Sequence, residues 1–379
     1  MAWRGCFMKW VKINLTNAQF LSPKSSRLTS QQRCGFKKAQ RQTEKKTGLQ
    51  EETDAGPKQP TPSVPLTPRK PDRLLGPLVF TVGITGCSFG TAAILQYESV
   101  KSRVQMAMEE AKDEKLDKLR EGHNQTYWHN WWNQLSHFQK QVILVMSVVD
   151  DWWSGLSEGQ KMVTGILALN TLVLCCWRIP SMQRSLVKYF TSNPASKTRC
   201  LPMVLSSFSH YSIIHMLTNM YVLWTFSTSI VSLLGREQFL ALYLSGGVIS
   251  TFVGYVFKTA TGRLGPSLGA SGAVMTVLAA VCTKIPEAKL GIVLLPMVSF
   301  TAGNALKALV ALDTAGLLLG WRFFDHAAHL GGALFGMWYI MYGNEIIWRK
   351  REPLVKFWHE LTNKPTGRPR PGGGGRGQV

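Results

Sequence analysis

Acidic residues are scarce in this chain of 379 residues: 22 Asp and Glu stand against 43 Lys and Arg, and none occurs before Glu44. No continuous apolar stretch opens the chain either, which excludes a secretory signal sequence. The seven cysteines form no CxxC pair, so neither a disulfide scaffold nor a zinc site is expected. A net charge of +21 would suit a nucleic-acid partner, yet the basic residues crowd the two ends and a few short loops. Long stretches between them carry no charge at all. That distribution argues for a polytopic membrane protein with basic loops and against nucleic-acid binding.

The chain divides by composition. Nine Lys or Arg residues lie within the first 43, among serine, threonine and glutamine, and Glu51–Arg73 turns to Pro, Thr and charge. Residues 1–73 therefore read as a mitochondrial transit peptide with a disordered tail. Leu74–Tyr97 is uncharged and long enough to span about 30 Å of hydrocarbon as a helix. Residues 98–161 are polar and contain a near-duplication: Trp131-Trp132-Asn133-Gln134-Leu135-Ser136 returns as Trp152-Trp153-Ser154-Gly155-Leu156-Ser157, each followed by a Gln-Lys pair. Each copy reads either as an amphipathic element at the membrane interface or, more plainly, as a repeated structural segment. Six apolar segments follow within 162–348, approximately Met162–Trp177, Ser206–Leu234, Gln238–Phe257, Leu264–Thr283, Thr301–Trp321 and His326–Trp348. Leu290–Met297 reads as a loop or short span. The basic Gly/Pro-rich tail, 349–379, ends in a stretch expected to be disordered.

Loop charge orients the spans. The basic N-terminal tail points to the matrix. Residues 98–161 carry eight basic and ten acidic groups, which suits the intermembrane space, and Arg178–Arg199 carries five basic groups and no acid. Seven crossings would leave the C-terminus in the intermembrane space, although its basic tail disagrees with the charge rule.

Polar groups inside apolar helices are costly and are candidates for function. His215 and Asn219 lie four apart, on one helical face. Gly269-Ala270-Ser271-Gly272 opens a second such segment, and His326 with His329 opens a third. These clusters fall on the second, fourth and sixth of the six segments, each in the early turns. Alternate helices start on the same side, so all three reach a similar depth beneath one face and make one site. Ser271 suits a nucleophile and His329 its general base. His215, Asn219 and the Ser271 N–H can hold an oxyanion. No acid has an obvious place as a third member, Asp325 suiting an N-cap better, so a dyad fitted to amide hydrolysis is expected, without metal or organic cofactor. His210 is read as a structural hydrogen-bonding residue and His326 as facing the loop. Lys307 can snorkel, while Asp313 needs a partner, for a buried hydrogen bond rather than for gating of substrate access.

At these residues the chain resembles the rhomboid family of intramembrane serine proteases. Gly269-Ala270-Ser271-Gly272 is similar to its GxSG nucleophile. Ala328-His329 with Gly332 and Gly336 is similar to its AHxxGxxxG helix, and His210, His215 and Asn219 to its histidine-rich second helix. The resemblance implies an all-α polytopic membrane fold, a six-helix rhomboid core at 162–348 plus one N-terminal accessory transmembrane helix at 74–97. An extra leading helix and a transit peptide resemble the mitochondrial branch. That implies a multi-pass inner-membrane enzyme that cuts single-pass inner-membrane or imported proteins in or beside their membrane segments, in mitochondrial quality control, dynamics and apoptosis. Two departures stand out. Met275 occupies a place where many relatives carry a tyrosine beneath the histidine, and the family's Trp-Arg pair ahead of the second helix is missing, Trp177-Arg178 ending the preceding helix instead. The rival expectations are an inactive rhomboid-like protein that binds membrane clients, and a transporter using the histidines as a relay.

Overall fold

The computed structural model of the chain describes residues 74–117, 131–292 and 295–363; the expected leader and the end of the tail lie outside them. Two units divide the chain, and the described part of the smaller one is helical at 131–134. All that follows concerns the larger, residues 68–124 with 136–379.

In chain order its helices are α1 (Leu75–Asp117), α2 (His137–Gly155), α3 (Glu158–Cys176), α4 (Pro180–Tyr189), α5 (Cys200–Leu205), α6 (Ile213–Leu234), α7 (Arg236–Thr261) and α8 (Ser271–Lys284). After strands β1 (Lys289–Ile292) and β2 (Leu295–Thr301) come α9 (Ala302–Leu319) and α10 (His326–Trp338). A π-helix at Tyr339–Trp348 continues α10, and α11 (Glu352–Thr362) closes the described chain. The fold is all-α but for that one hairpin among the described residues. The hairpin replaces the expected loop at Leu290–Met297, pairing Leu290 with Phe300 and Gly291 with Ser299. Pairing gives its backbone groups partners that an isolated loop would lack.

Among the described residues, five helices are long and apolar enough to cross a membrane by length and composition: α1 over Leu75–Glu110, α3, α6, α7 and α9. Helix α1 does not stop at Tyr97 but runs on through charged sequence. Helix α8 has 14 residues, about 21 Å at 1.5 Å per residue, well short of a 30 Å hydrocarbon layer. Every residue of α8 from Gly272 to Cys282 is buried, with α6, α7, α9 and α10 packed around it. The first residue of this short central helix is Ser271, which is half-buried.

The tryptophan repeat has a local cause. Ser136 caps α2 and Ser157 caps α3, each accepting from the N–H of the glutamine three residues on, while that glutamine's side chain returns to the serine N–H. Both copies are thus the start of a helix written as the same reciprocal cap. Helix α11 lies against α1: Trp358 Nε1–H donates to Glu98 at 2.8 Å, Lys101 donates to Asn363 at 3.2 Å, and Tyr97 pairs with His359.

Candidate active site

The loop before Ser271 is held at successive residues. Ser267 and Ser192 exchange both backbone hydrogen bonds, at 2.8 and 2.9 Å, the Gly269 N–H donates to Ser206 O at 3.0 Å, and the Ala270 N–H donates to His210 Nε2 at 3.3 Å. Gly269 has φ +134°, which other residues rarely adopt, and a Cβ there would come within 2.8 Å of the His215 ring. Ser271 then begins α8, so its N–H has no intrahelical acceptor.

Helix α10 is capped by Asp325, whose one carboxylate oxygen accepts from the Ala328 N–H at 3.3 Å, as the sequence led one to expect. The other oxygen meets Lys258 at 2.7 Å and the Ser267 hydroxyl at 2.6 Å. One residue therefore ties together α7, the loop before Ser271 and α10. Beyond the cap, Gly332 and Gly336 lie over the carbonyls of Gly272 and Thr276, where any Cβ would overlap the backbone. Thr276 Oγ1 stitches the two helices, 2.9 Å from Gly332 O and 3.0 Å from Gly272 O. This close approach brings His329 Nε2 to 2.9 Å from Ser271 Oγ.

Two expectations are corrected on the far side of the imidazole. Asp313, on α9, sets Oδ1 at 3.2 Å from His329 Nδ1, so an acid does occupy the third place that sequence left empty. His326 does not face the loop: it is 4% exposed, with Nδ1 at 2.7 Å from the same Asp313 oxygen. A carboxylate at Nδ1 keeps the proton on that nitrogen, leaving the Nε2 lone pair toward the Ser271 hydroxyl. The signal for Asp313 was its buried position on an apolar helix with no partner of its own; Lys307 is exposed. Asp313, His326 and His329 bring ligand-type atoms within 4.8 Å of one another, a grouping that could also hold a metal ion. Their mutual hydrogen bonds already account for it. The aromatic neighbour that Met275 does not supply comes from Phe324, whose ring centre is 5.9 Å from that of His329.

His210 accepts at Nε2 from both Ala270 N–H and Asn219 Nδ2, the latter at 3.2 Å, as a buried hydrogen-bonding residue of the loop before α6. Asn219 Nδ2 also donates to His215 O at 3.0 Å, which engages both of its hydrogens in this state. The His215 ring packs against Gly269, two residues before Ser271. Trp177 and Arg178, just past the end of α3, clamp this same loop: Trp177 Nε1–H donates to Ser209 Oγ at 2.9 Å, and Arg178 donates to Tyr211 O at 3.1 Å.

Residues 197–345 match the model of the rhomboid domain. Over 384 aligned residues the chain is 78% identical to presenilin-associated rhomboid-like protein A, mitochondrial, of Danio rerio, covering 99% of this chain and 100% of that one. The chain belongs to the rhomboid family. Presenilin-associated rhomboid-like protein, mitochondrial, of Homo sapiens is 55% identical over 356 residues, 91% of this rhomboid and 88% of that protein. Rhomboid protein 1, mitochondrial, of Saccharomyces cerevisiae is 34% identical over 193 residues, half of this chain and 56% of its own. The family match takes in α6 to α10, the helices that carry Ser271, His329, Asp313, His215 and Asn219.

Proposed function

We propose that this rhomboid is a serine endopeptidase that hydrolyses peptide bonds in or beside the membrane segments of single-pass proteins. The observation that carries this reading is the 2.9 Å contact between His329 Nε2 and Ser271 Oγ, made across two helices that touch. His329 takes the hydroxyl proton as Ser271 attacks the scissile carbonyl, then returns it to the leaving amine. The Ser271 N–H, His215 and Asn219 hold the developing oxyanion, Asn219 exchanging one of its present acceptors for it. Water, activated by the same imidazole, releases the acyl-enzyme. Asp313 orients His329 and balances the imidazolium that forms, so the dyad works with a carboxylate behind it. General-base assistance of this kind supplies about 10²–10⁴-fold in rate. A helical substrate offers no free carbonyl, so helix-breaking residues near the cut favour cleavage.

The mitochondrial names of its relatives, the leader-like composition of 1–73 and the loop charges support an inner-membrane enzyme with its N-terminus in the matrix, an accessory helix and a six-helix core at 162–348. Its partners in this reading are the lipid bilayer and inner-membrane or imported single-pass proteins, with the family's roles in quality control, dynamics and apoptosis.

The test is serine-directed fluorophosphonate labelling of the reconstituted protein, alongside cleavage of a single-pass substrate. Both should occur in the wild type and vanish in Ser271→Ala. A Ser271→Ala protein that still cleaves would overturn the reading, and a wild type that binds the substrate but neither labels nor cuts would favour a client-binding protein.

A further inference from the structure

The hydrogen bond that best defines the position of Asp313 is made by neither reacting group. It comes from His326, 2.7 Å from Oδ1, against 3.2 Å for His329. His326 is itself held by packing rather than by polar partners. A Cβ added to Gly316, on α9, would fall 2.5 Å from its ring. The rings of Trp321 and Phe324 lie 6.2 and 6.0 Å away, and its Nε2 has no hydrogen-bond partner among the described residues. The ring is therefore wedged into a slot with only Nδ1 used, and that atom points at the carboxylate.

We propose that His326 is a positioning residue for the hydrolytic machinery: a packed imidazole holds Asp313 in the orientation that engages His329 Nδ1. The proposal rests on the protease reading and deepens it. Asp313 is 4% exposed and carries four lone-pair sites, yet every bond its carboxylate makes to a described residue is to one of these two rings. Without His326 the carboxylate is free to rotate about its own side chain, and His329 loses a fixed acceptor. The i, i+3 spacing on α10 places both imidazoles on one face, so a single carboxylate oxygen can serve both. A role limited to satisfying a buried charge would cost stability whatever became of His329. A positioning role shows in turnover, and only while Asp313 is present.

Full-length protein in proteoliposomes, given a quenched fluorescent single-pass substrate, tests this. His326→Leu should lower kcat about 10-fold or more, with KM changed less than about twofold. His326→Asn, which keeps an N–H donor near the place of Nδ1, should recover most of that loss. In an Asp313→Asn background, His326→Leu should change kcat by less than about twofold, because the interaction is already gone. Gly316→Ala pushes the ring from behind; it should lower kcat in the wild type and have little effect beside the smaller His326→Asn. The His326→Asn and Gly316→Ala measurements, each read against the wild type, stand even where His326→Leu does not fold. Equal losses from His326→Leu with and without Asp313, or no loss in either, would overturn the proposal. So would failure of His326→Asn to recover activity. Ser271→Ala is measured in parallel. If it remains active the protease reading falls, whereas a dead Ser271→Ala beside a fully active His326→Leu removes the positioning role alone.

Discussion

Ser267 donates a hydrogen bond to Asp325 across 2.6 Å, and that bond joins the loop ending in Ser271 to the helix carrying His329. Ser271 and His329 are thus coupled outside their own contact as well. Lys258 completes the junction from α7.

Asp325 should give the fold an acid sensitivity. Burial pushes its carboxyl upward, but Lys258, the Ser267 hydroxyl and the Ala328 N–H outweigh that and hold it below the usual carboxylate value. A group depressed in the folded state contributes its stability above the unfolded pKa of about 3.9 and loses it as pH falls through the lower folded value. Thermal unfolding in detergent micelles should show Tm falling below about pH 4, less steeply in Asp325→Asn. At neutral pH that variant keeps the cap but leaves Lys258 with the Ser267 hydroxyl and no carboxylate, a loss of about 1–3 kcal/mol. Asp325→Ala should lose about 1 kcal/mol more with the cap. An Asp325→Asn protein with wild-type Tm at every pH would refute this.

Asp313→Asn should lower kcat by about 10²–10⁴-fold with a small change in KM, since an amide no longer holds the proton on His329 Nδ1. Steady-state cleavage checks it. A variant with full turnover would return the site to a bare dyad.

Gly336→Ala places a methyl group against the Thr276 carbonyl and forces α8 and α10 apart. A shift of about 1 Å between the helices costs roughly 10²-fold in rate, so turnover and fluorophosphonate labelling should fall together. Unchanged labelling would mean that the helices need not touch.

Trp177→Phe keeps an aromatic ring, though a smaller one, and removes the hydrogen bond to Ser209, leaving a buried hydroxyl without that partner. A loss of about 1–2 kcal/mol in unfolding free energy is expected. Arg178→Lys should also destabilise, because an ammonium cannot both stack on Tyr211 and reach its carbonyl as the planar guanidinium does. Denaturant titration checks both.

Ser136→Ala and Ser157→Ala each delete a helix cap and should cost about 1 kcal/mol apiece. The two sites lie on different helices, so the double variant should show the sum, read from its unfolding midpoint.

That Ser271 and His329 meet, with His215 and Asn219 close by, was legible because a polar group on an apolar helix is conspicuous and alternate helices share a starting side. Asp313 was conspicuous for the same reason, but its partners lie on another helix. No spacing along one chain encodes a contact between α9 and α10, and His326 was misplaced for want of that contact. The Ser-x-x-Gln spacing of both caps was present in the sequence, where the repeat read more plainly as a duplicated structural segment than as an interfacial element, and the caps at Ser136 and Ser157 fit that plainer reading. The hairpin at Lys289–Thr301 left little trace, since a short apolar run suits a strand, a loop or a helix end equally well.

The clasp between α11 and α1 has a counting consequence. Trp358 and Asn363 touch Glu98 and Lys101, so the chain comes back to the level it had reached on leaving its first apolar segment. A path that returns to the same side must traverse the bilayer an even number of times in between. The six-helix core proposed above, α3 with α6 to α10, fits that parity, whereas five or seven crossings would leave the two stretches on opposite sides, unable to meet.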